Sequence, residues 1–310
     1  MKRDFIQITD FTGDEIHQVL HVAGRLKSET RVGKEHPHLK GKTLAMIFQK
    51  PSARTRISFE TGMWELGGHA LYLGPTDIGM GTREAVKDIA RVVSRYNDLI
   101  MARVFDHGYI TELAAHSAVP VINGLSDYNH PCQVMADIFT VLEHRGNIDD
   151  LRVVYLGDGN NVANSWLNLA RRIAMELVIA CPEGYEPDDE TFKLAKESGP
   201  GEVSISHDPF AVVPGADVIY TDAWASMGQE AEEEERKKIF QPYQVNRELM
   251  EAAGKQATFM HCLPAHRGQE VTDDVLDGPQ SIAFDEAENR LHVQKAIMVT
   301  LAGNSGNIHQ

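Results

Sequence analysis

Cysteine is scarce in this chain. Its 310 residues include three, Cys132, Cys181 and Cys262, widely spaced and in no metal-binding pattern. Reduced thiols in the cytoplasm are therefore the default expectation. No apolar run approaches the length of a membrane span. The basic start Met1-Lys2-Arg3 runs into Asp4 and a polar stretch, so no signal-peptide core is expected. Positive charge is in deficit as well: 30 Lys and Arg against 45 Asp and Glu give a net charge of −15. That balance argues against a nucleic-acid or anionic-membrane partner. It also means that a pocket for an anionic substrate needs locally concentrated arginines. What remains, 42% hydrophobic and 24% charged residues, is the composition of a soluble globular protein long enough for two domains.

The chain is organised around Phe48-Gln49-Lys50-Pro51-Ser52-Ala53-Arg54-Thr55-Arg56. Before it, Lys42 to Phe48 is apolar and reads as a buried parallel strand. After it, Ile57, Phe59, Met63 and Leu66 recur at helical spacing. Ser52 is then the expected N-cap, and Arg54 and Arg56 fall in the first turn. Cations there oppose the helix dipole by ~0.3–1 kcal/mol each. An anion resolves the conflict. A phosphate would sit among free backbone N–H groups, the hydroxyls of Ser52 and Thr55, and guanidinium forks.

Strands and helices keep alternating. Strands are expected at 69–73, 98–103 and 119–122, with a glycine-rich loop at 74–82 and helices at 85–93 and 109–117. Arg103 ends its strand, where open α/β sheets bind ligands. Asn123 to Gln133 again joins a strand to a helix, with Pro131 suited to the first helical position. His130 and Gln133 share that helix end. In the second half, Gly157-Asp158-Gly159-Asn160-Asn161 follows strand 152–156, and Asp222 follows strand 217–220. The charge run 230–238 reads as a solvated helix. Strand 257–260 ends at His261-Cys262-Leu263-Pro264, a short strand is expected near 281–284, and a last helix at 293–303. The fold class is α/β: two doubly wound parallel-sheet domains with the active site expected in the cleft between them.

Four segments in this order resemble one family: Ser52-Ala53-Arg54-Thr55-Arg56, His130-Pro131-Cys132-Gln133, Asp222 with Ser226-Met227-Gly228, and His261-Cys262-Leu263-Pro264. They resemble the aspartate/ornithine carbamoyltransferase family, and its ornithine-specific members most closely. The resemblance implies attack of the L-ornithine δ-amine on carbamoyl phosphate, giving citrulline and phosphate, a reaction of arginine biosynthesis that the same site serves in either direction. It implies a carbamoyl-phosphate domain at 1–145, an ornithine domain at 146–290, and a C-terminal helix, 291–310, packed back on the first. It implies a homotrimer or a multiple of trimers in the cytoplasm, with neither cofactor nor metal. By position, Ser52, Ala53, Arg54 and Thr55 match the phosphate cradle. Arg103, His130, Gln133, Cys262, Leu263 and Arg290 match further carbamoyl-phosphate contacts. Asn161, Asp222, Ser226 and Met227 match ornithine contacts. Cys262, Arg54, Arg103 and His130 take the catalytic parts, and the loop 224–243 is expected to close over the amino acid. Gly79 stands where relatives often carry Gln or His from a neighbouring subunit, and Ala53 stands where Thr is commoner.

Other readings compete. Gly157-Asp158-Gly159 after a strand invites a dinucleotide, but Val162 occupies the place of the third small residue. His261, Cys262 and His266 cluster without a zinc spacing. A scaffold that had lost its chemistry would have no need of the arginines and Cys262. Among acceptors, aspartate, acetylornithine and putrescine compete with ornithine. An acidic residue at Asp222 suits a substrate amine and repels a second carboxylate.

Overall fold

A computed structural model describes residues 2–225 and 233–303. The chain forms two compact units: Met1–Phe139 with Glu288–Gln310, and Thr140–Ala287. The division falls inside a helix, where the sequence expectation put it at residue 145.

The first unit opens with α1 (Gly13–Arg31). Thr12 and Glu15 start it with a capping box, each side chain accepting the other's backbone N–H. Then follow β1 (Thr43–Phe48), α2 (Ala53–Glu65), β2 (His69–Leu73), α3 (Pro75–Ile78), α4 (Val86–Tyr96), β3 (Leu99–Arg103), α5 (His107–His116), β4 (Val121–Leu125) and α6 (Pro131–Arg145). The strands form one parallel sheet in the order β2-β1-β3-β4. Leu44 to Phe48 are buried without alternation, as a central parallel strand requires. β2, at the edge, is half-exposed. The chain moves to one side of β1 to make β2 and to the other to make β3. The ends of β1 and β3 therefore flank the switch point of the sheet, where loops diverge and leave room for a ligand. The expected loop 74–82 contains α3, closed by Gly79 in the left-handed region at φ +57°. A Cβ there would meet the Arg83 Cβ at 2.8 Å, so Gly79 serves the turn.

The second unit carries β5 (Leu151–Leu156), α7 (Asn161–Ala170), β6 (Met175–Ala180), α8 (Asp189–Ser198), β7 (Glu202–Ser206), α9 (Pro209–Val212), β8 (Val218–Thr221), α10 (Glu233–Phe240), α11 (Arg247–Ala253), β9 (Thr258–His261) and α12 (Asp273–Leu276). Its parallel sheet runs β7-β6-β5-β8-β9, with the switch point between β5 and β8. Val154, Ile219, Leu249 and Phe259 form part of its core. Gly159 lets the loop after β5 approach residues 186–187: a Cβ would lie 2.2 Å from the Pro187 nitrogen. Close packing thus explains this glycine without a dinucleotide. The charge run on α10 is not wholly solvated. Arg236 is buried, pairs with Asp158 at 2.6 Å and lies over the Tyr185 and Phe240 rings.

The last helix, α13 (Ala283–Leu301), starts earlier than expected. The strand anticipated at 281–284 reduces to one bridge from Ser281 to Phe259, and Asp285 and Glu286 favour the positive end of a helix. From Glu288 onward it belongs to the first unit. There Lys295 is fully buried, and its Nζ donates to Thr30 Oγ1 at 2.9 Å, to His36 Nε2 at 3.2 Å and to Glu65. His36 is thereby an acceptor at Nε2 and donates from Nδ1 to the Lys34 carbonyl at 3.1 Å. Burial first, and then Lys295, lower the His36 pKa. Burial, with Lys295, Lys27 and Arg31 nearby, pushes His292 down to about 3. Both imidazoles are neutral in the fold and bind protons readily only when unfolded. The unfolded state takes up more protons below the ordinary value of 6.5, so stability is complete above that pH and is lost as pH falls towards the folded values. Chemical denaturation between pH 7 and 5 should lose about 1 kcal/mol per pH unit on account of His292 once below 6.5, with His36 acting in the same direction. His292→Gln should flatten that slope.

Candidate active site

At the β1–α2 junction Ser52 caps the helix, and its Oγ accepts the Thr55 N–H at 3.3 Å. The Ser52 hydroxyl in turn donates to Thr55 Oγ1 at 3.1 Å. Two arginines from distant parts of the unit reach the same hydroxyl. Arg290 Nη2, from α13, donates to it at 2.8 Å, and Arg103 Nη1, from the end of β3, at 3.5 Å. Thr55, Arg103, His130 and Arg290 are all buried. Arg54 is partly exposed, yet its Nε is buried with no acceptor among the described residues. Ala53 is exposed at the start of the helix. Arg56 goes elsewhere than the sequence suggested. It pairs with Glu60 at 3.0 Å and stacks over Tyr72 at 4.1 Å, which answers its unfavourable place at the helix start.

His130 precedes Pro131 at the start of α6. Burial drives its pKa well below the usual value, and the charges of Arg290, Arg103 and Arg54 add to that. The imidazole is neutral among three guanidinium groups. Gln133 lies one turn on, and its Nε2 donates to Asp137 Oδ1 at 2.8 Å. Such a set, a capped helix start with three cations and an uncharged imidazole, suits a compact dianion and a developing oxyanion beside it.

A second cluster sits at the switch point of the other sheet. Asp222 follows β8, Asn160 caps α7 after β5, and Cys262 follows β9. Asp222 Oδ1 accepts the Cys262 thiol at 2.9 Å and the Ala223 N–H at 2.7 Å. Its Oδ2 accepts Asn160 Nδ2 at 2.9 Å. Asn161 occupies the first position of α7. Leu263 is held at φ +56°, before a cis peptide to Pro264, and donates its N–H to His261 Nδ1 at 2.8 Å. The buried Glu270 meets His261 Nε2 at 3.1 Å, and Glu286 accepts the His261 N–H at 3.0 Å. Asp222, His261 and Cys262 bring donor atoms within 4.8 Å of one another, but both ring nitrogens of His261 are committed to the protein. Ser226, Met227 and the rest of 226–232 in the expected closing loop lie outside the described residues.

A family model described as the carbamoyl-P binding domain of aspartate/ornithine carbamoyltransferase matches residues 3–143. A second, described as the Asp/Orn binding domain of the same enzymes, matches residues 149–301. The chain belongs to the aspartate/ornithine carbamoyltransferase family. Among its relatives is the ornithine carbamoyltransferase of Thermococcus kodakarensis, 56% identical over 97% of this chain and 96% of the relative. The chloroplastic ornithine carbamoyltransferase of Pisum sativum is 54% identical over 97% of this chain and 80% of its own length. The solved ornithine carbamoyltransferase of Pyrococcus furiosus superposes with a TM-score of 0.93 at 54% identity, covering 96% of each chain.

In this carbamoyltransferase the four motif segments hold Thr55, His130, Asp222 and Cys262 but not Arg103, Arg290 or Asn160, nor the groups that support them. Glu270 and Glu286 lie in no motif, and their burial beside His261 is a matter of tertiary packing. Tyr155 is hidden in an apolar strand. Among the described residues no helix is long and apolar enough to cross a membrane.

The three thiols differ sharply. Burial pushes Cys132 and Cys181 up to about 12, whereas Cys262 is partly exposed. Iodoacetamide at pH 8 should therefore label Cys262 alone in the native protein, and all three after denaturation. Peptide mass mapping reads the outcome, and native labelling of Cys132 or Cys181 would refute the burial argument.

Proposed function

We propose that this chain transfers the carbamoyl group of carbamoyl phosphate to the δ-amine of L-ornithine, giving L-citrulline and phosphate. The observation that carries the proposal is the convergence of Arg54, Arg103 and Arg290 around Thr55 and a neutral His130. On this reading the start of α2, with Ser52, Ala53, Arg54 and Thr55, holds the phosphate. Arg103, His130 and Gln133 take the carbamoyl end, with Arg290, Cys262 and Leu263 as further contacts. His130 and Arg103 donate to the carbonyl oxygen as it gains charge, and the arginines steady the departing phosphate. A neutral imidazole is the form that stays uncharged beside three cations and still offers an N–H.

The amine must lose a proton before it attacks, because an alkylammonium resembles the Lys reference of ~10.4. Asp222 is proposed to hold the ammonium, and Cys262, once its thiol has released its own proton to solvent, to accept the ammonium proton as the thiolate. Docking of a cation at Asp222 offsets the carboxylate charge that otherwise opposes a thiolate next to it. The amine attacks the carbonyl carbon directly, the carbon–oxygen bond to phosphate breaks, and no thioester forms. Asn161, Ser226 and Met227 are proposed to grip the amino-acid end. Asp222 disfavours aspartate as acceptor, since a second carboxylate would meet a like charge.

Anabolic direction is suggested by the name of a Pyrococcus furiosus relative, "Ornithine carbamoyltransferase, anabolic", 54% identical. The same reading sets the enzyme in the cytoplasm as a homotrimer. Exposed Ile57 and Trp64, on the outer side of α2, support an assembly. Light scattering should give the mass of three chains or a multiple of three, and a monomer mass would withdraw the assembly.

Side-by-side assays with ornithine, acetylornithine, putrescine and aspartate should give the highest kcat/KM for ornithine. A faster reaction with any of the others would overturn the assignment. Arg54→Ala or Arg103→Ala should each lower kcat/KM by on the order of 10²–10³. Asp222→Asn should raise the ornithine KM and leave carbamoyl-phosphate binding nearly intact. Equal weakening of both ligands by calorimetry would count against that division of labour.

A further inference from the structure

The loop after β5 supplies a residue whose part goes beyond capping a helix. Asn160 Oδ1 accepts the N–H groups of Val162 at 2.8 Å and Ala163 at 3.3 Å. The Tyr155 hydroxyl donates to the same oxygen at 3.1 Å. Burial pushes the Tyr155 phenol well above its usual pKa, with Asp222, Asp158 and Cys262 adding to the effect, so it remains a donor. Three donors therefore converge on one side of the amide. A flipped amide would set its NH₂ against all three, so the network fixes its orientation. Nδ2 must then face Asp222 Oδ2, 2.9 Å away. Because a carboxylate is rigid and planar, a donor fixed at Oδ2 also aims Oδ1, which meets the Cys262 thiol at 2.9 Å.

We infer that Asn160 is a positioning residue for the acceptor side of the reaction, setting the Asp222 carboxylate against the Cys262 thiol through its locked amide. The inference rests on the roles proposed above for Asp222 and Cys262. Capping alone does not call for asparagine, since Asp or Ser caps a helix about as well. Of these, asparagine alone offers both the acceptor for α7 and a donor of that reach. Other charged groups of the unit nearby are already answered: Asp158 pairs with Arg236 at 2.6 Å, and Glu270 bonds His261 at 3.1 Å.

Asn160→Asp separates the two roles. It keeps the size and the cap but places a carboxylate oxygen against Asp222. The pH profile for alkylation of Cys262 by iodoacetamide should move up by about one unit, because added negative charge opposes the thiolate. A shift of that size corresponds to a fall in kcat of ~10-fold when the Cys262 thiolate is the form that takes the amine's proton, because the thiolate fraction falls ~10-fold. The KM for carbamoyl phosphate should stay within about twofold, and the melting temperature near that of the parent, because the cap survives. Asn160→Ser, which caps but does not reach Asp222, should lower kcat in the same direction. Parent-like kcat and parent-like alkylation profiles in both variants would reduce Asn160 to a cap and overturn the inference. Asp222→Asn, run alongside, locates any failure. Unchanged turnover in that variant strikes the role given to Asp222, and the inference falls with it. Impaired turnover there, with both Asn160 variants unaffected, strikes Asn160 alone.

Discussion

Three guanidinium groups held around one uncharged imidazole are the constraint on which the first unit depends. Arg103 and Arg290 meet at a single hydroxyl, that of Thr55, and Arg54 adds its charge at the start of α2. Like charges brought together in a buried place repel, and no carboxylate is hydrogen-bonded to Thr55, the atom on which they converge, among the described residues. The fold tolerates the arrangement because each arginine is anchored by a different element: a strand end, a helix start and the middle of α13. Rigid anchoring of this kind is what preorganised electrostatic stabilisation needs, since the donors have no reorganisation left to do when charge develops. His130 completes it, because burial and the neighbouring arginines both drive it to the neutral form.

On the roles proposed above, the second unit meets the opposite problem. An amine substrate needs a negative group, but a carboxylate beside a thiol resists loss of the thiol proton. Here Asp222 is surrounded by donors, the Asn160 amide, the Ala223 N–H and the Cys262 thiol, which spread its charge without neutralising it. On the role proposed for Asp222, an arriving cationic substrate is then the component that changes the balance. Both clusters stand at the switch point of their own parallel sheet, where the loops part and backbone leaves room for a ligand.

Much of this was legible in the sequence because local rules and chemistry coincide there. An apolar strand, a serine cap and a cation-rich first turn sit within one stretch, and the conflict between Arg54 and the helix dipole is itself the signal. Arg103 was recognisable from its place at a strand end. Arg56 was not separable from Arg54 by sequence, since which face a side chain takes depends on Tyr72 and Glu60 nearby. Arg236 was hidden in a run of charges, because only packing against Tyr185 and Phe240 distinguishes a buried arginine from its solvated neighbours. Start of α13 ten residues ahead of expectation has the same origin: a short apolar run is ambiguous between strand and helix until its partners are known.

A net charge of −15 and the proposed site for a dianion are compatible because screening separates them. Exposed charges more than about 8 Å apart interact weakly at physiological salt, whereas buried groups in contact are screened far less. The surface carboxylates that set the overall charge are thus nearly silent at Thr55, and the field there belongs to three arginines. Low salt would extend the reach of the acidic surface and slow the approach of an anionic substrate, while leaving the contacts it makes once bound almost unchanged. Composition therefore constrains encounter, and local placement of charge determines recognition.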